Sequence, residues 1–234
     1  MGTSLVLEAE IWNAFYSQFA AALKKCGRGH DEVQVLPVSK TRSAEFLIPW
    51  LRLKGFPQVL GENYFSELEE KSEILKPQFP TLRWHFIGPL QSRKISDLCE
   101  RVICLHTVSR AKELGILQKI KAEGESIPKF YIQVNVSGES QKNGVDPEQL
   151  PSLLEEMTRL QLQENVEGLM CLPSPVSVVG EKCVRKEFSM LRELRDLHLP
   201  KTKLSMGMSD DFEWAIEEGS NLIRVGSVLF GERK

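Results

Sequence analysis

The sequence predicts an α/β fold built as a (β/α)8 barrel, a TIM barrel, preceded by one extra helix. Two observations carry this reading. Short β-branched apolar runs alternate with amphipathic segments along the whole chain, at about one unit per 25 residues. The runs at 33–38 and 130–136 are mostly apolar on both faces, as parallel strands covered on both sides must be. An open doubly wound sheet has the same alternation and periodicity cannot separate the two. A count of about eight strands, with no G-x-G-x-x-G after an early strand, favours the barrel.

The first helix is expected over residues 5–25, with Ile11, Phe15 and Ala22 on one stripe, ended by Cys26-Gly27-Arg28-Gly29. A strand over 33–40 opens into Thr41-Arg42-Ser43, where Ser43 reads as a helix cap, and Leu47, Ile48, Leu51 and Leu53 continue an amphipathic segment. Strands are then expected at 58–61, 82–87, 102–107, 130–136, 166–172, 203–206 and 222–230. The intervening helices fall at 64–75, 91–101, 110–123, 147–162, 181–197 and 210–218. The best linker candidate, 173–180, is short enough to be a βα loop, so residues 1–234 are expected to form one domain.

Composition excludes several classes. The chain has 234 residues, 41% hydrophobic and 26% charged, with 30 Lys+Arg against 32 Asp+Glu. No apolar run reaches the roughly 18–20 residues of a membrane helix, and Glu8 and Glu10 interrupt the start of the chain where a secretory signal would need an apolar core. A cytoplasmic protein with no membrane partner is expected. Five scattered cysteines read as reduced thiols, and Cys99 and Cys104 lack finger-like spacing, so no metal is expected. The basic residues form no concentrated stripe, which argues against nucleic acid.

In a barrel, the C-terminal ends of the strands face the active site. Those ends carry Lys40, Glu62 with Asn63, His85 with Gly88, Asn135 with Ser137, Ser205 to Ser209, and Arg224, Gly226 and Ser227. A lysine closing an apolar strand can lose solvation and attack an aldehyde as the neutral amine; it can equally snorkel to solvent. Ser205-Met-Gly-Met-Ser209 and Arg224-Val-Gly-Ser227 let backbone N–H groups approach a phosphate. Read alone, Ser209 is as readily a helix cap and Gly226 a packing glycine. A lysine for an aldehyde plus a phosphate cradle suits pyridoxal phosphate (PLP), and equally a sugar phosphate. His106, inside an apolar strand, reads as an interior histidine, and strand alternation puts His85 and Trp84 on opposite faces without saying which points inward.

Seven stretches carry a family resemblance: Val38-Ser-Lys-Thr41, Gly61-Glu-Asn-Tyr64, Trp84-His-Phe-Ile-Gly88 with Leu90-Gln91, Val134-Asn135, Gly168-Leu-Met170, Leu204-Ser-Met-Gly-Met-Ser209, and Arg224-Val-Gly-Ser227 with Phe230-Gly231. Together and in this order they resemble the pyridoxal phosphate homeostasis protein family, single-domain relatives of the alanine racemase barrel. The resemblance implies Lys40 as the Schiff-base lysine. It implies Ser205, Gly226 and Ser227 at the cofactor phosphate, Arg224 at the pyridine nitrogen, and Asn63, His85 and Met206 lining the site. Pro89, Arg93 and the Cys171-to-Pro175 stretch depart from the usual family pattern and bear on loop contacts.

An arginine near the pyridine nitrogen disfavours its protonation and weakens the ring as an electron sink. The resembling racemases supply a second base from a C-terminal β domain, for which a chain ending at Lys234 leaves no room. The expectation is a PLP carrier in vitamin B6 homeostasis, a monomer or weak dimer with PLP-dependent apoenzymes as partners. An amino-acid racemase and a sugar-phosphate aldolase are the competing readings.

Overall fold

The computed structural model describes residues 2–139 and 141–232. The expectation attached to the chain's end at Lys234 lies outside the described residues. Eight parallel strands, β1 (Gln34–Pro37), β2 (Val59–Glu62), β3 (Arg83–Phe86), β4 (Cys104–Val108), β5 (Lys129–Gln133), β6 (Val166–Met170), β7 (Lys203–Ser205) and β8 (Leu222–Val225), pair in the order β1-β8-β7-β6-β5-β4-β3-β2. The ring closes between β1 and β2 through a parallel bridge, Val38 to Gly61, with Ser39 N–H donating to the Gly61 carbonyl at 2.9 Å. That closure decides for the barrel over the open sheet.

The helices follow the strands: α1 (Gly2–Lys25), α2 (Ala44–Leu51), α3 (Phe65–Leu75), α4 (Ile95–Cys99), α5 (Ala111–Ala122), α6 (Leu150–Arg159), α7 (Val176–Val179), α8 (Glu181–His198), α9 (Phe212–Glu217) and α10 (Ser227–Phe230). The Ser43 hydroxyl caps α2 by accepting from Phe46 N–H, as its sequence position predicts. The strand expected over 222–230 is two elements, because the backbone turns at Gly226 and the last four residues coil into α10. That single turn is too short to cover its share of the barrel wall. The long helix α1 packs against α2, α9 and α10 instead, inserting Trp12 and Phe15 against Phe56 and Phe212.

Burial sorts the strand residues by parity, since successive side chains point to opposite faces. The main apolar cluster, which includes Trp84, Phe86, Leu105 and Met206, lies between strands and helices. Two small clusters lie apart from it within the ring: Leu36, Val59 and Leu222 with Ile87, and Cys104, Tyr131 and Met170. His85 shares the parity of Ile87 and therefore points into the barrel, while Trp84 points out. Two residues further along β8 than Leu222 comes Arg224, and two further Gly226, so the interior rises from an apolar floor through a charged layer to the mouth.

Gly88, just past β3, lies against the backbone of Asn63. A Cβ there would fall 1.8 Å from the Asn63 carbonyl oxygen, and the Gly88 carbonyl accepts from Thr107 Oγ1 at 2.5 Å. Gly115, within α5, has open space at its Cβ position. Gly88→Ala should therefore lower the unfolding free energy by about 2–4 kcal/mol. Gly115→Ala should raise it by about 0.5–1 kcal/mol. Urea denaturation of the two variants beside the parent protein checks both signs.

Candidate functional site

A cavity of about 540 Å³ opens at the C-terminal mouth of the barrel. The loop after β1 supplies Lys40, Thr41 and Arg42; Asn63 and Ile87 directly follow β2 and β3; Met170 ends β6 and Leu172 lies just beyond it. The β7–α9 loop brings Met208, Ser209 and Asp210, and the far wall is Arg224, Gly226 and Ser227. Of the residues expected at the site, the fold thus brings together Lys40, Asn63, Arg224, Gly226 and Ser227.

The lining of this cavity does not include Ser205, His85 or Met206. Ser205 and His85 face inward but one layer below the mouth, and Met206 has the opposite parity and is buried between strand and helix. Ser209, read from sequence as a possible helix cap, does not cap α9. Its hydroxyl accepts from Gly226 N–H at 3.3 Å and Val228 N–H at 3.2 Å, holding the β7 and β8 loops together. Asp211 supplies the turn before α9 by accepting from Met208 N–H at 2.6 Å.

Beneath the mouth, the Arg224 guanidinium is buried, and no carboxylate pairs with it among the described residues. It donates instead to the Ser205 carbonyl and Ser205 Oγ, each at 2.7 Å, and to the Cys171 carbonyl at 2.7 Å. Burial pulls its pKa down from the ordinary arginine value. Since Ser205 Oγ accepts from arginine, its own hydrogen is left for His106 Nδ1, 3.1 Å away. His106 then carries its proton on Nε2 and donates to His85 Nδ1 at 2.8 Å. This order assigns both tautomers from the network. Tyr131 packs against His106 with the rings tilted and their centroids 4.7 Å apart.

Both histidines are neutral. Burial, then the charge of Lys203, lowers His85 to about 4, and burial with neighbouring His85 and Arg224 takes His106 well below its ordinary value. Cys171 meets the site through its carbonyl only, its thiol being pushed up to about 12 by burial. His85, His106 and Cys104 bring three potential ligand atoms within 4.8 Å of one another, all buried. The hydrogen-bond order above already engages both histidine nitrogens that face each other.

The sign of the pH effect follows from the depressed histidines. Between about 4 and 6.5 the unfolded chain binds a proton at each histidine that the folded chain does not, so stability is lost as pH falls through this window. His85 should account for about 3 kcal/mol of that loss. Urea midpoints at pH 7 and pH 4.5 should show the decline, and His85→Gln should shallow the slope.

Asn63 supplies a further observation: its Oδ1 is buried at the cavity wall without a hydrogen-bond partner. A buried acceptor left unmade is costly, and a ligand carrying a donor would satisfy it. At Gly226, the nearest atoms to a would-be Cβ belong to Val38, no closer than 3.5 Å, so packing alone does not demand glycine where the wall meets the cavity.

Comparison with known proteins agrees with this geometry. The alanine racemase N-terminal domain family matches residues 12–234. The pyridoxal phosphate homeostasis protein of Aquifex aeolicus is 38% identical over 218 residues, spanning 91% of this chain and 92% of its own. The structure of PipY from Synechococcus elongatus with PLP bound superposes with a TM-score of 0.73 at 30% identity, covering 96% of this chain and 100% of PipY. Clostridium difficile alanine racemase shares the fold, with a TM-score of 0.67 at 15% identity, over 92% of this chain and 58% of the racemase. A barrel closed at β1–β2, a lysine at that seam and a match across nearly the whole length make this chain a member of the pyridoxal phosphate homeostasis protein family.

Proposed function

We propose that the protein is a carrier of pyridoxal phosphate, holding it as a Schiff base on Lys40 and contributing to intracellular vitamin B6 homeostasis without efficient turnover of amino acids. The observation that carries the reading is the convergence on one cavity of Lys40, Arg224, the buried Asn63 acceptor and the Ser209–Gly226–Ser227 corner. The PLP-bound PipY structure and the names of the relatives support it.

In this reading the neutral Lys40 amine adds to the aldehyde carbon, water leaves, and a carbon–nitrogen double bond forms. The phosphate sits at Gly226 and Ser227, with Ser209 bracing the two loops, and Asn63 accepts from a donor on the ligand. Arg224, fixed by three hydrogen bonds, points its charge at the pyridine nitrogen and keeps a proton off it, which weakens the ring as an electron sink. That weakening favours holding the cofactor over turning over amino acids. The reading extends to residues 1–234 as one binding unit, to the cytoplasm as its place, and to PLP-dependent apoenzymes as recipients. No described helix is long and apolar enough to cross a membrane.

Purified protein mixed with PLP should show an absorbance band near the visible edge that borohydride abolishes, and Lys40→Ala should lack it. An unchanged band in that variant would sink the cofactor assignment. The loaded protein should exchange the α-proton of L-alanine and form D-alanine far below the roughly 1–1000 per second of ordinary enzymes; turnover within that range would make it a racemase. Ser227→Asp places negative charge where the phosphate is proposed. It should weaken PLP binding about a hundredfold, or about 3 kcal/mol, by equilibrium titration.

A further inference from the structure

We propose that Lys71 is a positioning residue for Lys40, acting through a buried ion cluster that fixes both backbone neighbours of that lysine; the inference rests on Lys40 being the aldehyde-binding group. Lys71 lies on α3, outside the cavity lining, and is buried. A buried ammonium persists only when it is paired and its hydrogens are used. All three are: Nζ donates to Glu62 Oε2 at 2.6 Å, to Glu67 Oε2 at 2.6 Å and to the Ser39 carbonyl at 2.8 Å.

The carboxylates pass this constraint on to the site. Glu62, fully buried at the end of β2, accepts from Ser39 Oγ at 2.9 Å, and its other oxygen accepts from the N–H groups of Asn63 at 2.7 Å and Tyr64 at 3.3 Å. Glu67 Oε2 accepts from Thr41 N–H at 2.8 Å. The residues on each side of Lys40, and the cavity residue Asn63, are therefore tied to one cluster. Thr41 has φ 64°, a left-handed conformation that a β-branched residue adopts only when its surroundings impose it. The Glu67 acceptor, itself held by Lys71, is what holds it there.

A plain cross-link between α3 and β2 would need only the Glu62–Lys71 pair. Here further bonds go to residues 39, 41 and 63 around the lysine. The cluster also has a sign, two carboxylates against one ammonium. Of the other charged groups at the cavity, Arg42 lies on the loop after β1, Asp210 on the β7–α9 loop, Arg224 on β8 and Glu232 after α10. Substitutions within the cluster leave those four in place.

The test is borohydride trapping of PLP by the full chain as a function of pH, with thermal midpoints recorded in parallel. Lys71→Met leaves two carboxylates beside the Lys40 loop. The pH midpoint of the trapping rate should rise by about one unit, and the rate at neutral pH should fall about tenfold. Glu67→Gln removes a negative charge while its amide oxygen still accepts from Thr41 N–H, so the midpoint should move the other way, by about half a unit. Lys71→Arg keeps the charge and should restore a midpoint near that of the parent protein. A structural role alone would lower thermal midpoints and leave the pH midpoints unmoved. Unmoved midpoints, or shifts of the same sign in Lys71→Met and Glu67→Gln, overturn the proposal; if Lys71→Met does not fold, an unmoved midpoint in Glu67→Gln does so. Parent protein that traps no PLP overturns the carrier reading and this inference with it, whereas normal trapping with unmoved variants overturns this inference alone.

Discussion

The interior of the barrel is organised around the buried guanidinium of Arg224, a cation that no carboxylate pairs with among the described residues. An unpaired charge in a low-dielectric core is tolerated only where oriented dipoles replace its water. Two carbonyls and a hydroxyl do so here. Once Ser205 Oγ is committed as an acceptor, the protons on His106 and His85 have one consistent order, and burial above all keeps both rings neutral, with the Arg224 charge adding to it at His106. The charged middle layer is thus a single donor-to-acceptor sequence that begins at arginine.

Lys71 solves the same problem in the opposite way. It is buried as deeply as Arg224, yet two carboxylates surround it, and its cluster lies at the β1–β2 seam where the ring closes. One cation is held by neutral dipoles and lines the cavity at the mouth. The other is saturated by anions, so it can act only on the backbone it grips. Burial alone does not distinguish a binding charge from a supporting one; the identity of the partners does.

The strands, the helix cap at Ser43 and the placement of Lys40, Asn63, Arg224, Gly226 and Ser227 at the mouth were legible in the sequence, because a barrel fixes function at the C-terminal ends of its strands. Depth was not legible. Ser205 and Ser227 are both hydroxyls near strand ends, but which layer each reaches depends on the stagger between neighbouring strands, which no single strand encodes. Met206 and Trp84 turn outward by parity, which becomes absolute only when one neighbour's direction is known. Glu67 and Lys71 have the spacing of an ordinary surface ion pair on a helix. The burial of Lys71 follows from the packing of α3 against the seam, and nothing local announces it. The role of Ser209 stayed open between cap and phosphate site for the same reason, since its partners lie seventeen and nineteen residues away.

Helix α1 stands in for wall that the one-turn α10 leaves uncovered, so a segment early in the sequence is completed by residues about two hundred positions later. Phe15 meets Phe212, Lys25 pairs with Glu217, and Arg28 donates to the Ser220 carbonyl. Contacts of such separation cost the most chain entropy and form last. During synthesis, the Trp12 and Phe15 stripe of α1 can meet Phe56 early, but it stays partly uncovered until Phe212 and α10 follow. The same contacts that seal the barrel therefore make this aromatic stripe the surface on which a nascent chain depends for protection.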